Sequence, residues 1–448
     1  MKHAPTKFSP KSSFSISPIF LYDTKGLSIF DDITCISEYY LSNAERIVLM
    51  KYASRIAAII PDNARIVELG AGSMAKTAIL LEEIMKNFKE RKDKLKGNGL
   101  RGSSVFDDVR FPIYQPVDIC ASSLEVSLHD LSSVVPEMQL EGLCGSYHDA
   151  IAYLRRESLI SIQTTTPRRP LVILWLGSSI GNMNREEAAD FINYFRRSVF
   201  IPGDIWITGI DGRNWSSERA WKAYNDKLGV TKDFILNGLV NINRILVGSL
   251  QEHGAASDYR TGPFPVNKFN YIGIYNEVEG RHEAYLEASE DMTIQFQVDT
   301  LKFDNFLFQE WISVPLSTNT SLVDYLYVEG PIIADKDIAF DSKREATEVN
   351  GNQPSGNMRF NCSLKAGEMI HMEYSYKYSA EDISSLFEQV HMSILEHFVY
   401  PDEPYHVIIS QEMPFWFQRP QKIIAQHYPY GGGRLKTECI IKRVKLIS

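Results

Sequence analysis

The sequence predicts an α/β protein on a doubly wound, mostly parallel sheet. Three patterns point to it. Apolar strand-like runs alternate with helical ones from residue 45 to 210. One of those runs, "LVILWLG" (171–177), is apolar throughout, as befits a strand covered on both faces. Another, "ARIVEL" (64–69), runs directly into glycines and then a helix, the βα turn of such sheets.

Taken in order, "AERIVLMKYASRIAAII" has helical periodicity and leads to the "ARIVEL" strand. "AKTAILLEEIMKNF" is a helix, and the charged run "KERKDKLKGNGLRGSS" after it reads as a solvated loop insertion. "FPIYQPVDI" is a second strand ending in an acid. After the "LVILWLG" strand come the helix "REEAADFINYFRRSV" and the strand "DIWITGID". From about 211 the character changes. A helical stretch, "SERAWKAYNDKLGVTKDFILNGLVNINRIL", precedes strand-like "FNYIGIYNEV" and "EAYLEAS". "VNGNQPSGN" reads as an exposed loop, and "LKAGEMIHMEYSYKYS" alternates like a strand. "AEDISSLFEQVHMSILEHF" reads as a helix, and "YHVIISQ" as a strand returning to the parallel sheet.

At 448 residues the chain has room for two or three domains, and 44% hydrophobic with 23% charged residues is ordinary globular composition. A net charge of -9 argues against broad nucleic-acid binding. No apolar run reaches the roughly 18–20 residues of a membrane span. The N-terminus lacks a signal-peptide core, and the five cysteines are scattered without a C-x-x-C pair, so a cytoplasmic protein with neither disulfide framework nor metal site is expected.

The segment "IVELGAGSMAKT" (66–77) is one residue from a phosphate-binding P-loop. Ala75 stands where that loop needs a glycine to wrap its N–H groups around phosphates. A glycine turn after a strand also suits an adenosyl ligand, with an acid at the tip of the next strand holding the ribose hydroxyls. Asp118 has that place, about fifty residues from Glu68 where about twenty is usual, and the charged insertion accounts for the excess. Plain tight packing is the alternative use of such a turn.

"YDTKGLSIFDDITCISEYYLSNAE" (22–45) resembles the opening of the histidine-specific, S-adenosylmethionine-dependent methyltransferase family, with Ile29 and Ser37 as departures. "VELGAGSMAKT", "PVDI", "LWLGSSIGNM", "AYNDKLGVTKDFILNGLVNINR" and "AGEMIHMEYSYKYS" are similar to further family segments, in order from residue 22 to about 410. The resemblance implies a Rossmann-like doubly wound methyltransferase sheet with a second, α+β substrate-binding domain. It also implies S-adenosyl-L-methionine as cofactor. Gly70 and Gly72 would form the turn, Lys76 lie near the methionyl carboxylate, Asp118 hold the ribose, Ser146 and Tyr147 lie beside adenine, and Gly177 and Ser178 lie under the cofactor. The family usually has Asp-Phe where Ser146-Tyr147 stands.

For an amino-acid substrate, the resemblance implies a carboxylate clamp of Tyr39, Asn182 and Tyr224, with Tyr22 near the reacting amine. Glu373 and Ser375 correspond to the residues that bind the ring in relatives methylating histidine. Tyr22 is the first candidate for helping the amine lose its proton, and Glu373 the second. Where those relatives carry a methionine over the side-chain pocket, "RHEA" places Ala284, which implies a wider pocket. The expected substrate is thus an amino-acid-like metabolite or small peptide, with an aromatic or modified side chain favoured over free histidine, in secondary metabolism.

The expected domains are a disordered tail at 1–16, a substrate-binding domain from 17–44 and 211–378 with an insertion at about 287–362, a cofactor-binding domain from 45–210 and 379–412, and an extension at 413–448.

Overall fold

A computed structural model describes residues 12–97, 111–164, 168–213, 216–248, 260, 262–299, 357–400 and 403–412. The chain opens with β1 (Ser12–Ser15), α1 (Thr24–Thr34) and α2 (Tyr40–Ile59). It continues with β2 (Arg65–Leu69), α3 (Ala75–Gly97), β3 (Ile113–Asp118), α4 (Ala121–Val134), β4 (Gln139–Leu140) and β5 (Leu143–Cys144). Next are α5 (Tyr147–Thr164), β6 (Leu171–Trp175), α6 (Arg185–Val199), β7 (Ile205–Asp211), α7 (Ser217–Ala223) and α8 (Val230–Gly248). The last elements are β8 (Phe269–Asn276), β9 (Arg281–Ala288), β10 (Met292–Asp299), β11 (Asn357–Leu364), β12 (Met369–Tyr376), α9 (Ala380–Gln389), β13 (Ser393–Tyr400) and β14 (Glu403–Gln411).

The main sheet has the order β13-β14-β7-β6-β2-β3-β4, with β5 beside β3. Strands β7, β6, β2 and β3 run parallel. Every residue of β6 and β7 is buried, because helices cover both faces of the sheet and no side chain there can reach water. This is the Rossmann-like doubly wound sheet. From β2 the chain winds outward through β3 and β4, then returns to lay β6 on the other side of β2. The crevice between β2 and β6 is therefore the topological switch point, where such sheets take ligands at the carboxyl ends of their strands.

A smaller sheet, β1-β12-β9-β8, stands beside it with α8 packed against β8 and β9. The two sheets are joined where β12 leaves its own. The Tyr378 amide donates to the Asp211 carbonyl at 2.9 Å, and Gly212 forms a parallel bridge with Tyr378. A methyl group on Gly181 would lie 2.7 Å from the Tyr376 carbonyl oxygen, so only glycine lets the turn after β6 press against β12.

Several expectations change. Helix α3 does not stop before the charged run: it continues to Gly97, because Lys, Glu and Arg are good helix formers that need no buried face. The stretch 217–246 is two helices, broken at Tyr224–Gly229 where Asp226 caps α8 by accepting from Val230 and Thr231. The helix ends at Gln389, "SILEHF" belongs to strand β13 rather than to a helix, and β14 joins β7 antiparallel, not parallel. A tight return from β13 leaves β14 no crossover with which to run parallel. Residues 12–15, read as part of a tail, form β1 on β12. The ends of the expected insertion, β10 and β11, pair as an antiparallel ribbon. Its interior (300–356), the extension at 413–448 and residues 1–11 lie outside the described residues.

Candidate active site

Four strand ends of the main sheet form one edge of the site. After β2, Gly70 and Gly72 take positive φ (68° and 54°), a region open to glycine without steric cost. The Gly72 amide donates to Asp118 Oδ2 at 3.1 Å, and the Cys120 amide donates to Oδ1 at 3.2 Å. Burial pushes the Asp118 carboxyl up, against the lowering effect of these backbone donors. A carboxylate has about four acceptor sites, so it keeps room for an incoming hydroxyl. On the Cβ side of Gly72 nothing lies within 4 Å, whereas a Cβ on Gly70 would meet the Tyr147 hydroxyl at 2.8 Å. Tyr147 thus abuts the turn. Ser146, before it, donates from its amide and its hydroxyl to Asp149 Oδ2, at 2.8 and 2.6 Å.

At the end of β6, Gly177 (φ 72°) and Ser178 (φ 57°) turn the chain, and the Asp211 amide donates to Ser178 Oγ at 2.9 Å. Beneath them lies a fully buried acid, Glu45 of α2. It accepts from the Gly177 amide at 2.7 Å, from the Tyr405 hydroxyl at 2.6 Å and from Lys76. The Lys76 ammonium therefore meets any ligand carboxylate with its charge already shared.

The other wall comes from the smaller sheet and the N-terminal segment. Asp23 caps α1 by accepting from the Gly26 amide, and also accepts from Asn237 of α8, both at 2.8 Å. Asn241 donates to the Phe20 carbonyl at 3.0 Å. These bonds clamp the turn that carries Tyr22 onto α8. The Tyr22 hydroxyl donates to Glu373 Oε1 at 2.9 Å, and Asn182 Nδ2 donates to the Tyr22 oxygen at 3.4 Å. Phe30 and Phe234 meet the Tyr22 ring edge-on. Glu373 and Tyr22 are half-buried. Burial pushes the Glu373 carboxyl up to about 7, against the Tyr22 hydrogen bond and the Lys377 charge, which lower it. The phenol of Tyr22 is pushed far up by burial, then by the Glu373 charge, and stays neutral.

On the same face, Tyr224 closes α7 and its hydroxyl lies 2.5 Å from Ser375 Oγ. Tyr39 meets the Tyr224 ring edge-on at 5.8 Å, and His282 stacks on its other side at 4.3 Å. Ala284 is the cross-strand partner of Glu373 on β9, and Gly273 of β8 lies opposite Ala284. Ala284 is thus the small cross-strand neighbour of Glu373, while Asn225 and the Tyr271 hydroxyl fill the space over Gly273, Tyr271 donating to the Tyr224 carbonyl at 2.8 Å.

This arrangement suits an adenosyl ligand: an open glycine turn, an acid at the next strand tip, and a second left-handed turn at the switch point. The pattern of the family described as histidine-specific methyltransferase, SAM-dependent, matches residues 6–317 and 339–412. The chain belongs to this family. It is 34% identical over 288 residues to ergothioneine biosynthesis protein 1 of Neurospora crassa, covering 64% of this chain and 28% of that one. It is 30% identical over 298 residues to the Schizosaccharomyces pombe protein of the same name, covering 64% and 33%. To N-methyltransferase dtpB of Aspergillus flavus it is 30% identical over 240 residues, covering 52% and 59%. The chain thus spans about a third or less of the first two relatives and under two thirds of the third.

Three buried charged residues beside the candidate site carry no motif that singles them out: Glu45 lies within α2, Asp211 ends β7, and Lys377 follows β12. Lys377 shares the strand face of Glu373 and Ser375 at a period of two, a signal that could have found it. Among the described residues no helix is long and apolar enough to cross a membrane, and no three His, Cys, Asp or Glu side chains form a metal-binding group.

Proposed function

We propose that this chain is an S-adenosylmethionine-dependent N-methyltransferase acting on the α-amine of an amino acid or amino-acid-like metabolite. The observation that carries the reading is the convergence of Tyr22, Asn182 and Glu373, from three separate segments, into one hydrogen-bonded cluster beside the turn after β6. Gly70, Gly72, Asp118, Gly177 and Ser178 would hold the cofactor, with Lys76 and Tyr147 at its margins. When bound, the cofactor supplies an electrophilic methyl group on a sulfonium. The protein has then to align an amine and remove its proton.

Glu373 is the better acceptor for that proton. A carboxyl near 7 is matched to an ammonium at neutral pH. Tyr22, a neutral phenol that donates to Glu373, orients the carboxylate and contacts the amine. Tyr39, Asn182 and Tyr224 offer neutral donors for the substrate carboxylate, which leave the amine as the substrate's reactive end. Ala284 beside Glu373 favours a larger aromatic or modified side chain, or a small peptide's N-terminus, over free histidine. Free histidine is the second reading: Glu373 and Ser375, which the family resemblance links to the histidine ring, are both present in the cluster.

The test is a radiolabelled methyl-transfer screen over histidine, tryptophan, prenylated tryptophan and small peptides. Transfer to an α-amine supports the reading. Tight cofactor binding with no transfer to any amine refutes it.

A further inference from the structure

Beneath the Tyr224–Ser375 pair lies a buried cation that the proposed chemistry does not use. Lys377, 1% exposed, donates to the Tyr224 hydroxyl at 2.7 Å, to Ser375 Oγ at 2.9 Å and to Asp211 Oδ2 at 2.9 Å. An ammonium has three protons, so these bonds use all of them. Asp211, itself fully buried, also accepts from the Tyr40 hydroxyl at 2.8 Å. Removing two charges from water is costly, and the pair holds them at the point where β12 is stitched to the end of β7.

The consequence lies in where the hydroxyl protons can go. Tyr224 and Ser375 each already accept from Lys377, and at 2.5 Å one must donate to the other. If Tyr224 donates, Ser375 has accepted twice and its own O–H is left over. If Ser375 donates, the Tyr224 O–H is left over. Either way the pair turns one donor outward, and its accepting capacity is largely spent on Lys377.

We propose that Lys377, neutralised by Asp211, is a positioning residue that makes the Tyr224–Ser375 pair a hydrogen-bond donor, and so sets which end of a zwitterionic substrate it receives. Ser375 stands two residues beyond Glu373 on one face of β12, about 7 Å along the strand. An α-amino acid has its amine and carboxylate on one carbon. With hydrogen bonds of about 2.8 Å at each end, it bridges such a gap. The carboxylate goes to the donor pair and the ammonium to the acceptor, Glu373. The reversed orientation would set an ammonium against a donor and a carboxylate against a carboxylate. This rests on the N-methyltransferase reading and deepens it: any preference for an α-amino acid over the matching simple amine is set by Lys377 and Asp211.

The experiment measures binding to the full chain, saturated with S-adenosylhomocysteine, of two matched pairs: L-tryptophan with tryptamine, and L-histidine with histamine. Wild type should prefer the amino acid of at least one pair by about tenfold or more, as a site built around donors rejects a ligand lacking the acceptor. Lys377→Met alone strands Asp211, so the neutral double variant Lys377→Met/Asp211→Asn, whose new side-chain amide oxygen can still accept from Tyr40, accompanies it. If Lys377 positions the donors, the double variant binds S-adenosylhomocysteine normally while its preference falls to within about threefold of none. A tie that merely joins the sheets would weaken both members of a pair equally and leave the ratio intact; that result overturns the proposal alone. Wild type that binds neither amino acid overturns the proposal, whereas the functional reading falls separately, only if the methyl-transfer screen yields no transfer to any amine.

Discussion

The ionisation of Glu373 makes the sharpest prediction. Burial raises its carboxyl from the ordinary 4.5 to about 7, so near pH 6 it still holds the proton that an exposed glutamate has lost. If it accepts the amine proton, turnover at saturating substrate follows its ionised fraction, which rises from about 10% near pH 6 to about 90% near pH 8. The rate should therefore climb nearly tenfold over that interval. A carboxyl left at 4.5 would already be about 97% ionised near pH 6 and give no such climb. Glu373→Gln keeps the shape and an acceptor for the Tyr22 hydroxyl but cannot take a proton. It should lose roughly a hundred- to ten-thousandfold in kcat, the usual contribution of a general base. The assay is radiolabelled methyl transfer to the best acceptor from the screen, run for both proteins across this range. Any limb the two share belongs to the substrate amine. A variant within about threefold of wild type, or one that keeps the same limb, refutes the assignment.

Tyr22→Phe removes the donor to Glu373 and should slow methyl transfer about ten- to a hundredfold with S-adenosylhomocysteine affinity kept; normal turnover would exclude Tyr22 from the chemistry. Asp118→Ala strands the Gly72 and Cys120 amides and removes the ribose acceptor, so calorimetry should show S-adenosylhomocysteine binding weakened about tenfold or more, and unchanged affinity would place the cofactor elsewhere. Gly181→Ala forces a methyl against the Tyr376 carbonyl and should cost about 1–3 kcal/mol in denaturant unfolding, an expectation that an unshifted midpoint would contradict.

Stability should also depend on pH in a specified direction. Burial holds His371 near 4 and His406 near 3, so the unfolded chain takes up protons that the fold refuses as pH drops below about 6.5, and stability is lost on acidification. Glu68 and Glu373, both near 7, act in the opposite sense: the fold keeps protons that the unfolded chain releases above about 4.5, so their contribution falls as pH rises toward 7. The two effects overlap and oppose each other from about pH 4.5 to 6.5, so thermal midpoints should be nearly level there and fall on further acidification, and His406→Phe should flatten that acid fall. An unaltered acid slope in that variant would remove His406 from the account.

Much of the architecture was legible from local pattern. The run that became β6 has no polar residue to present to water, and the helix α6 carries its apolar residues at helical spacing between an Asn184–Glu187 capping box and two terminal arginines. The errors came where local pattern carried no decision. Nothing within "SILEHF" distinguishes helix from strand, and pairing with β14 decided it. The charged stretch of α3 could be loop or solvated helix on composition alone, and continuity with the packed turns before it extended the helix.

The site divides in the same way. The sequence alone determined which strand ends carry glycines and acids, because a left-handed turn or a strand-tip carboxylate is a property of a few adjacent residues. Tyr22, Asn182, Tyr224 and Glu373 were identifiable only through their motifs, and no spacing within the chain says that they touch. That was decided by the stitching of β12 onto β7, which brings a segment near residue 375 against others near 22, 182 and 224. The roles of Glu45 and Lys377 belong wholly to the tertiary structure. A charge written in a sequence defaults to solvent. Only the packed molecule withdraws water from it, leaves it to be satisfied by Gly177, Tyr405 and Lys76, or by Tyr224, Ser375 and Asp211, and so turns an ordinary Glu or Lys into part of a site.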